Sequence, residues 1–164
     1  MQQGRTRAGF AVVNDLIVVA GGFDGGNSLD TVEAYDTNTR TWLSLPKMTK
    51  RRGDPSCATH NKELYVFGGD NGSTWEKYNF VDKQWTYLGG LDLRLYTLTT
   101  FILDDKLVVI DGETVAIYDE AQKKWRKRQT KMNDRRTGEG ATALVRGVDI
   151  GKEAVRAFQH PSRE

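Results

Sequence analysis

Cysteine is nearly missing from this chain of 164 residues: Cys57 stands alone, so no intrachain disulfide can form. That fits a reducing compartment, cytosol or nucleus. A lone thiol of this kind reads as a small buried hydrophobe, not a nucleophile. Histidine is equally scarce. His60 and His160 are the only two, and neither has a His, Cys or carboxylate at metal-ligand spacing. His60, beside Asn61 at a strand end, reads as a surface or turn histidine. No G-x-S-x-G elbow and no Cys/His pairing appear. The formal charge is only +2, so nothing global favours nucleic acid or a membrane surface. No apolar run reaches the roughly 18 residues of a membrane helix, and MQQGRTRAGF lacks the apolar core of a signal peptide. Sustained helical periodicity is also missing.

Glycine is abundant, with 17 in all, and it is clustered. VAGGFDGGN (Val19 to Asn27) packs four into six positions behind an apolar run. A phosphate-cradling loop is one reading. Phe23 stands where the dinucleotide fingerprint needs its second glycine, and no Gly-Lys-Ser/Thr follows. Asp24, Asn27 and Asp30 imitate a calcium loop, but the spacing and terminal Glu of an EF-hand are absent. Turn-forming roles explain all three. The residues therefore point to no enzyme, no cofactor and no metal.

The chain repeats. Tyr35 precedes Trp42 by seven positions, as Tyr78 precedes Trp85 and Tyr118 precedes Trp125. Upstream of each pair lies an apolar run: LIVVAGG ending at Gly21-Gly22, LYVFGG at Gly68-Gly69, LVVIDG at Gly112. After each tryptophan comes an apolar residue and then arginine: Met48 with Arg51 and Arg52, Leu91 with Arg94, Met132 with Arg135 and Arg136. Four landmarks in fixed order, three times over, define repeats of about 43 residues. Each unit reads as four short strands: the apolar run, innermost; the tyrosine strand; the tryptophan strand; and an outer strand through SCATH, TLTTF or ATALV. Radially repeated four-stranded sheets follow. The repeat tryptophans are expected as wedges between sheets. Trp75 lies outside the pattern and is a candidate for a loop or binding role.

Gly-Gly after an apolar strand, Tyr and Trp seven apart, then Met and Arg, resembles the kelch repeat. LDTVEAYDTNTRTWLSLPKM (Leu29 to Met48) is especially similar to repeats of kelch-like, BTB-kelch type proteins. The resemblance implies an all-β, partial β-propeller of about three four-stranded blades, with an unpaired N-terminal outer strand at Arg7 to Asn14. The kelch-repeat region spans 5–146, with repeats at 15–60, 61–103 and 104–146; 147–164 is a polar tail, expected to be poorly ordered. Double glycines then end innermost strands where blades crowd. Departures are Asn79 and Leu91 in the second repeat, and Asp111-Gly112 with a shortened loop in the third. Three blades do not close a ring of 4 to 8. The expectation is a fragment, an isoform, or half of a ring that self-association of two copies completes.

The resemblance also implies a binding face built from the loop after the glycines and the start of the outer strand. Carried over, these are Arg7, Arg52, Arg94 and Arg136 with Asp24, Asn27 and Asn71. Converging arginines suit an acidic peptide; the alternative is that they brace blades through backbone carbonyls. The implied function is non-catalytic protein recognition, as in substrate adaptors of cullin-type ubiquitin ligases, with actin binding as the alternative. Some kelch propellers are enzymes, including copper oxidases, but their metal-binding His and Tyr have no counterpart here. Gln122 to Arg136 holds eight Lys or Arg against one Asp. It reads as a solubilising sheet edge, with an acidic partner, nucleic acid or nuclear import as the functional alternatives.

Overall fold

The computed structural model describes residues 1–69, 72–91, 93, 98–111 and 114–129. Among them there are fourteen strands and no helix. The first four-stranded sheet contains β1 (Gly9–Val13), β2 (Leu16–Ala20), β5 (Val32–Asp36) and β6 (Thr41–Leu45), in that order. A small hairpin, β3 (Phe23–Asp24) with β4 (Asn27–Ser28), interrupts it between β2 and β5. The second sheet runs β7 (Ser56–His60), β8 (Glu63–Phe67), β9 (Thr74–Asn79), β10 (Gln84–Gly90). The third runs β11 (Leu98–Leu103), β12 (Lys106–Asp111), β13 (Thr114–Asp119), β14 (Lys124–Gln129). These are three antiparallel propeller blades, as the repeats imply.

One detail is corrected. The strand within Arg7 to Asn14 is not unpaired: β1 pairs with β2 from Gly9↔Ala20 to Val13↔Leu16. Each sheet therefore begins one strand earlier than the sequence repeats do. The cause is the turn. Asn14-Asp15, Asn61-Lys62 and Asp104-Asp105 are two-residue loops with left-handed φ at Asn14, both residues of the second and both of the third. Such a loop folds a strand back onto the next one. The apolar runs are accordingly second strands. First strands approach one another instead: a Cβ on Gly9 would stand 2.5 Å from Cys57 Sγ, and Ser56 Oγ lies 2.8 Å from Thr100 Oγ1.

The seven-residue spacing of Tyr and Trp is a hairpin register. Tyr35↔Trp42, Tyr78↔Trp85 and Tyr118↔Trp125 are cross-strand partners, with ring centroids 5.3, 5.1 and 5.0 Å apart. Each loop between them is closed by an acceptor at its start. Asp36 Oδ1 accepts from Asn38 N and Thr39 N, Asn79 Oδ1 from Val81 N and Asp82 N, Asp119 Oδ1 from Gln122 N. Gly21, Gly22 and Gly69 carry φ of +63°, +89° and +104°. Neighbouring chain also passes too close for a side chain: a Cβ on Gly22 would meet Thr6 O at 2.5 Å, and one on Gly69 would meet Arg52 Cβ at 2.8 Å. The glycines serve a chain crossing.

Two cores lie between the sheets. Val18, Val32 and Ala34 of sheet one pack on Leu64, Val66 and Tyr78 of sheet two. Tyr65, Phe67 and Trp75 of sheet two pack on Leu107, Val109 and Ala116 of sheet three. The placement of Trp75 in a loop is corrected: it lies in β9 opposite Phe67, is buried, and stacks on Phe67 at 5.4 Å with Tyr118 and Trp125 edge-on at 5.0 and 5.2 Å. His60 is corrected too. As the last residue of β7 it occupies the place of Val13 in sheet one, so it points at sheet three and is buried. Its Nε2 is 3.0 Å from Glu120 Oε1 and its Nδ1 3.6 Å from Asp105 Oδ1.

Trp75→Ala is expected to destabilise by about 3–5 kcal/mol. Trp42→Ala, on a face that none of the described sheets covers, should lose less than half of that. Equal losses in denaturant melts would contradict this division of the tryptophans.

Candidate partner-binding face

The chain enters sheet one through Gln2 to Arg7 and enters sheet two through Thr49 to Asp54, and both lead-in segments are built alike. Register fixes the correspondence: Gly9 and Ser56 begin equivalent strands, so Arg5 matches Arg52. Arg5 donates through Nη1 to Gly21 O and Thr31 O (3.0 and 2.9 Å), and through Nη2 to Glu33 Oε1 at 2.7 Å. Arg52 donates through Nη1 to Gly68 O and Thr74 O (2.5 and 3.0 Å), and through Nε to Glu76 Oε1 at 2.8 Å. Each glutamate also accepts from the entering backbone, Glu33 from Gln2 N and Gln3 N, Glu76 from Thr49 N. Both arginine side chains are buried.

Arg52 is therefore corrected as a partner-binding residue. It braces the chain crossing, and its guanidinium faces carbonyls, not solvent. The repeat partner of Arg52 is Arg5, two positions before the Arg7 chosen from sequence. Glu33 and Glu76 were missed. Their signal was available, since TVE and TWE place an acid in the same slot of two tyrosine strands, where the third repeat has Ala116. Burial alone would raise the Glu33 carboxyl; the hydrogen bonds from Gln2 N, Arg5 and Gln3 N outweigh it and hold the carboxyl below its ordinary 4.5. Burial pushes the Cys57 thiol up to about 12, with the Arg52 charge opposing, so it stays protonated at neutral pH.

Above these braces the structure gathers an exposed polar rim. Arg7 is held with φ +53°; its guanidinium stands 5.3 Å from the Phe23 ring centroid and pairs with the Asp54 carboxylate. Thr6 and Phe23 exchange backbone hydrogen bonds of 3.0 and 2.9 Å, tying the entering chain to the hairpin. At its tip Asp24 and Asn27 face each other, with Gln3 Nε2 3.0 Å from Asp24 Oδ2. Arg51 Nη1 donates to Ser28 O at 3.3 Å. Arg7, Asp24 and Asn27 thus come together, joined by Arg51 and Asp54, which sequence reasoning did not assign. Arg94, Arg136, Asn71 and Gly112 lie outside the described residues. No group of three or more metal-ligating side chains occurs among the described residues, nor is any helix there long and apolar enough to cross a membrane.

Three repeated four-stranded antiparallel sheets, the first two entered by alike braced segments, define a blade-built scaffold of the propeller class. A profile of the kelch motif matches residues 4–49 and 51–91, each match containing one whole sheet. The chain belongs to the kelch-repeat family. It is similar to the kelch repeat-containing protein kel-10 of Caenorhabditis elegans, 29% identical over 160 residues, 88% of this chain and 28% of that one. It is also similar to kelch-like protein 35 of Mus musculus (27% over 134 residues; 77% and 23%). A third relative is kelch repeat and BTB domain-containing protein 2 of Cowpox virus (30% over 112 residues; 65% and 20%). The chain spans less than a third of the length of each. Kelch repeats are in general protein-interaction modules, and these relatives support that class for this chain.

Two outcomes follow from the braces. Arg52→Met alone should cost about 3–5 kcal/mol by stranding Glu76, and Arg52→Met with Glu76→Leu should recover much of it; a neutral single variant in urea melts would contradict the brace. Glu33 has a folded pKa below its unfolded one, so its contribution is present above about pH 4.5 and is lost as pH falls through the lowered value. Glu33→Gln should start less stable at pH 7 but fall less steeply below pH 4.5. Parallel curves would contradict the shift.

Proposed function

We propose that this chain recognises a protein partner without catalysis, through the rim formed by Arg7, Asp24, Asn27, Arg51 and Asp54. The observation that carries this reading is the division of labour among the arginines. Arg5 and Arg52 are consumed inside the fold, whereas Arg7 and Arg51 remain exposed beside the β3–β4 hairpin. An exposed ion pair such as Arg7–Asp54 adds little to stability, so its charges are available to a partner at low cost. Guanidinium forks suit carboxylates, and the partner chemistry that fits is a peptide segment carrying acidic side chains. The finer reading is substrate recognition of the kind used by cullin-type ubiquitin ligase adaptors. It is supported by relatives whose names join kelch repeats to a BTB domain.

The test is quantitative capture from cell extract with the chain and with the Arg7→Ala/Asp24→Ala variant. One client, or a cullin complex, should be reduced at least ten-fold on the variant while its melting temperature stays within a degree or two. An unchanged capture profile would overturn the rim as binding face. Co-sedimentation with actin filaments, unaffected by the variant, would replace the adaptor reading with a cytoskeletal one.

A further inference from the structure

Each of the two lead-in segments holds one non-glycine residue with a left-handed backbone, just before its first strand. In the first segment it is Arg7, with φ +53°, and in the second Asp54, with φ +55°. The two are equivalent, because Gly9 and Ser56 begin matching strands and each residue lies two positions earlier. The repeated backbone therefore brings both side chains to the same place in successive repeats, out on the rim, where they are 64% and 47% exposed. There the arginine of one repeat meets the aspartate of the next, Arg7 Nη2 donating to Asp54 Oδ2. The buried pairs Arg5–Glu33 and Arg52–Glu76 already tie the segments to their sheets, and an ion pair as exposed as Arg7–Asp54 adds little to that.

We propose that Asp54 is a built-in competitor for the acidic partner: it holds the Arg7 guanidinium as a partner's carboxylate would, and is displaced when the partner docks. This rests on the rim being the binding face. The guanidinium is already aimed, since it stands 5.3 Å from the Phe23 ring centroid, and Phe23 is itself fixed by its backbone exchange with Thr6. Exchange strands no buried charge, because both members of the pair are exposed. An incoming carboxylate can also take the guanidinium fork with two parallel N–H bonds. The result is a threshold. A segment with a single acidic side chain only replaces one carboxylate by another on Arg7. A segment with several acidic side chains reaches exposed Arg51 as well, which is otherwise engaged through Nη1 with Ser28 O at 3.3 Å. An exposed pair of this kind shifts an equilibrium by at most about five-fold, so Asp54 sets selectivity without closing the site.

The test is fluorescence anisotropy with a labelled hexaglutamate peptide at low salt, on the full chain and on Asp54→Asn, Arg7→Asn and the double variant. Asparagine is chosen at both sites because it tolerates a left-handed backbone, and the melting temperature of each variant should stay within a degree or two. Asp54→Asn should tighten binding about three- to five-fold, Arg7→Asn should weaken it, and in the Arg7→Asn background Asp54→Asn should give no gain. If Arg7→Asn weakens binding but Asp54→Asn does not tighten it, the competitor role is overturned while the rim keeps its part. A gain from Asp54→Asn that persists without Arg7 would be general charge repulsion and would overturn the role equally. Binding indifferent to Arg7→Asn, or no binding by any of the four proteins, would remove the rim reading and this proposal together.

Discussion

A guanidinium buried beneath each chain crossing holds the first two sheets to the segments that enter them. The crossing is demanding because an entering strand must pass over the end of its sheet's second strand, where the carbonyls of Gly21 and Gly68 lie just beyond the last ladder pair. Buried carbonyls left unpaired are costly. Arg5 and Arg52 answer this by donating to carbonyls on both sides of the gap, Gly21 with Thr31 and Gly68 with Thr74. The carboxylate then becomes necessary, since a buried cation without a counter-charge would be far worse than the carbonyls it satisfies. Glu33 and Glu76 supply it from the tyrosine strands, and the adjacent glycines clear the space that the crossing chain occupies.

Such a brace contributes more to specificity than to net energy. Bringing two charges out of water consumes most of what their attraction returns. What it fixes is register: one guanidinium can reach two carbonyls and one carboxylate in only one alignment of lead-in segment and sheet. The energy comes from the faces. Between sheets one and two it comes from aliphatic residues such as Val18, Val32, Leu64 and Val66. Between sheets two and three it comes largely from aromatic rings, with Phe67, Trp75, Tyr118 and Trp125 in mutual contact. Aromatic side chains bury more area than aliphatic ones.

Much of this was legible in the sequence because repetition makes weak signals add. Tyr and Trp seven apart, apolar runs and paired glycines recur, and the sheets they imply are there. The phase of the repeat was not legible. A strand can join the sheet before it or the sheet after it, and only the two-residue turns at Asn14, Asn61 and Asp104 decide. Once the phase is wrong, equivalent residues slip, and Arg7 is chosen where Arg5 belongs. Burial of Arg52 was hidden for a different reason: an arginine after Met and Lys looks like surface, and nothing local announces the carbonyls and Glu76 that receive it. Trp75 was misplaced because only one repeat has an aromatic ring in that slot; Val32 and Val115 fill it elsewhere.

The third repeat shows that brace and ring packing are separable. Ala116 stands where Glu33 and Glu76 stand, fully buried against sheet two. Ala116 offers no carboxylate from that slot, so among the described residues this junction is not built around the same ion pair. It is instead the junction with the aromatic cluster and with His60 reaching Asp105 and Glu120. A methyl group in place of a carboxylate lets apolar surface approach without a desolvation cost, and the rings around it make use of that approach. The same strand slot thus holds a register-setting charge in two sheets and a packing position in the third, while the backbone topology stays unchanged.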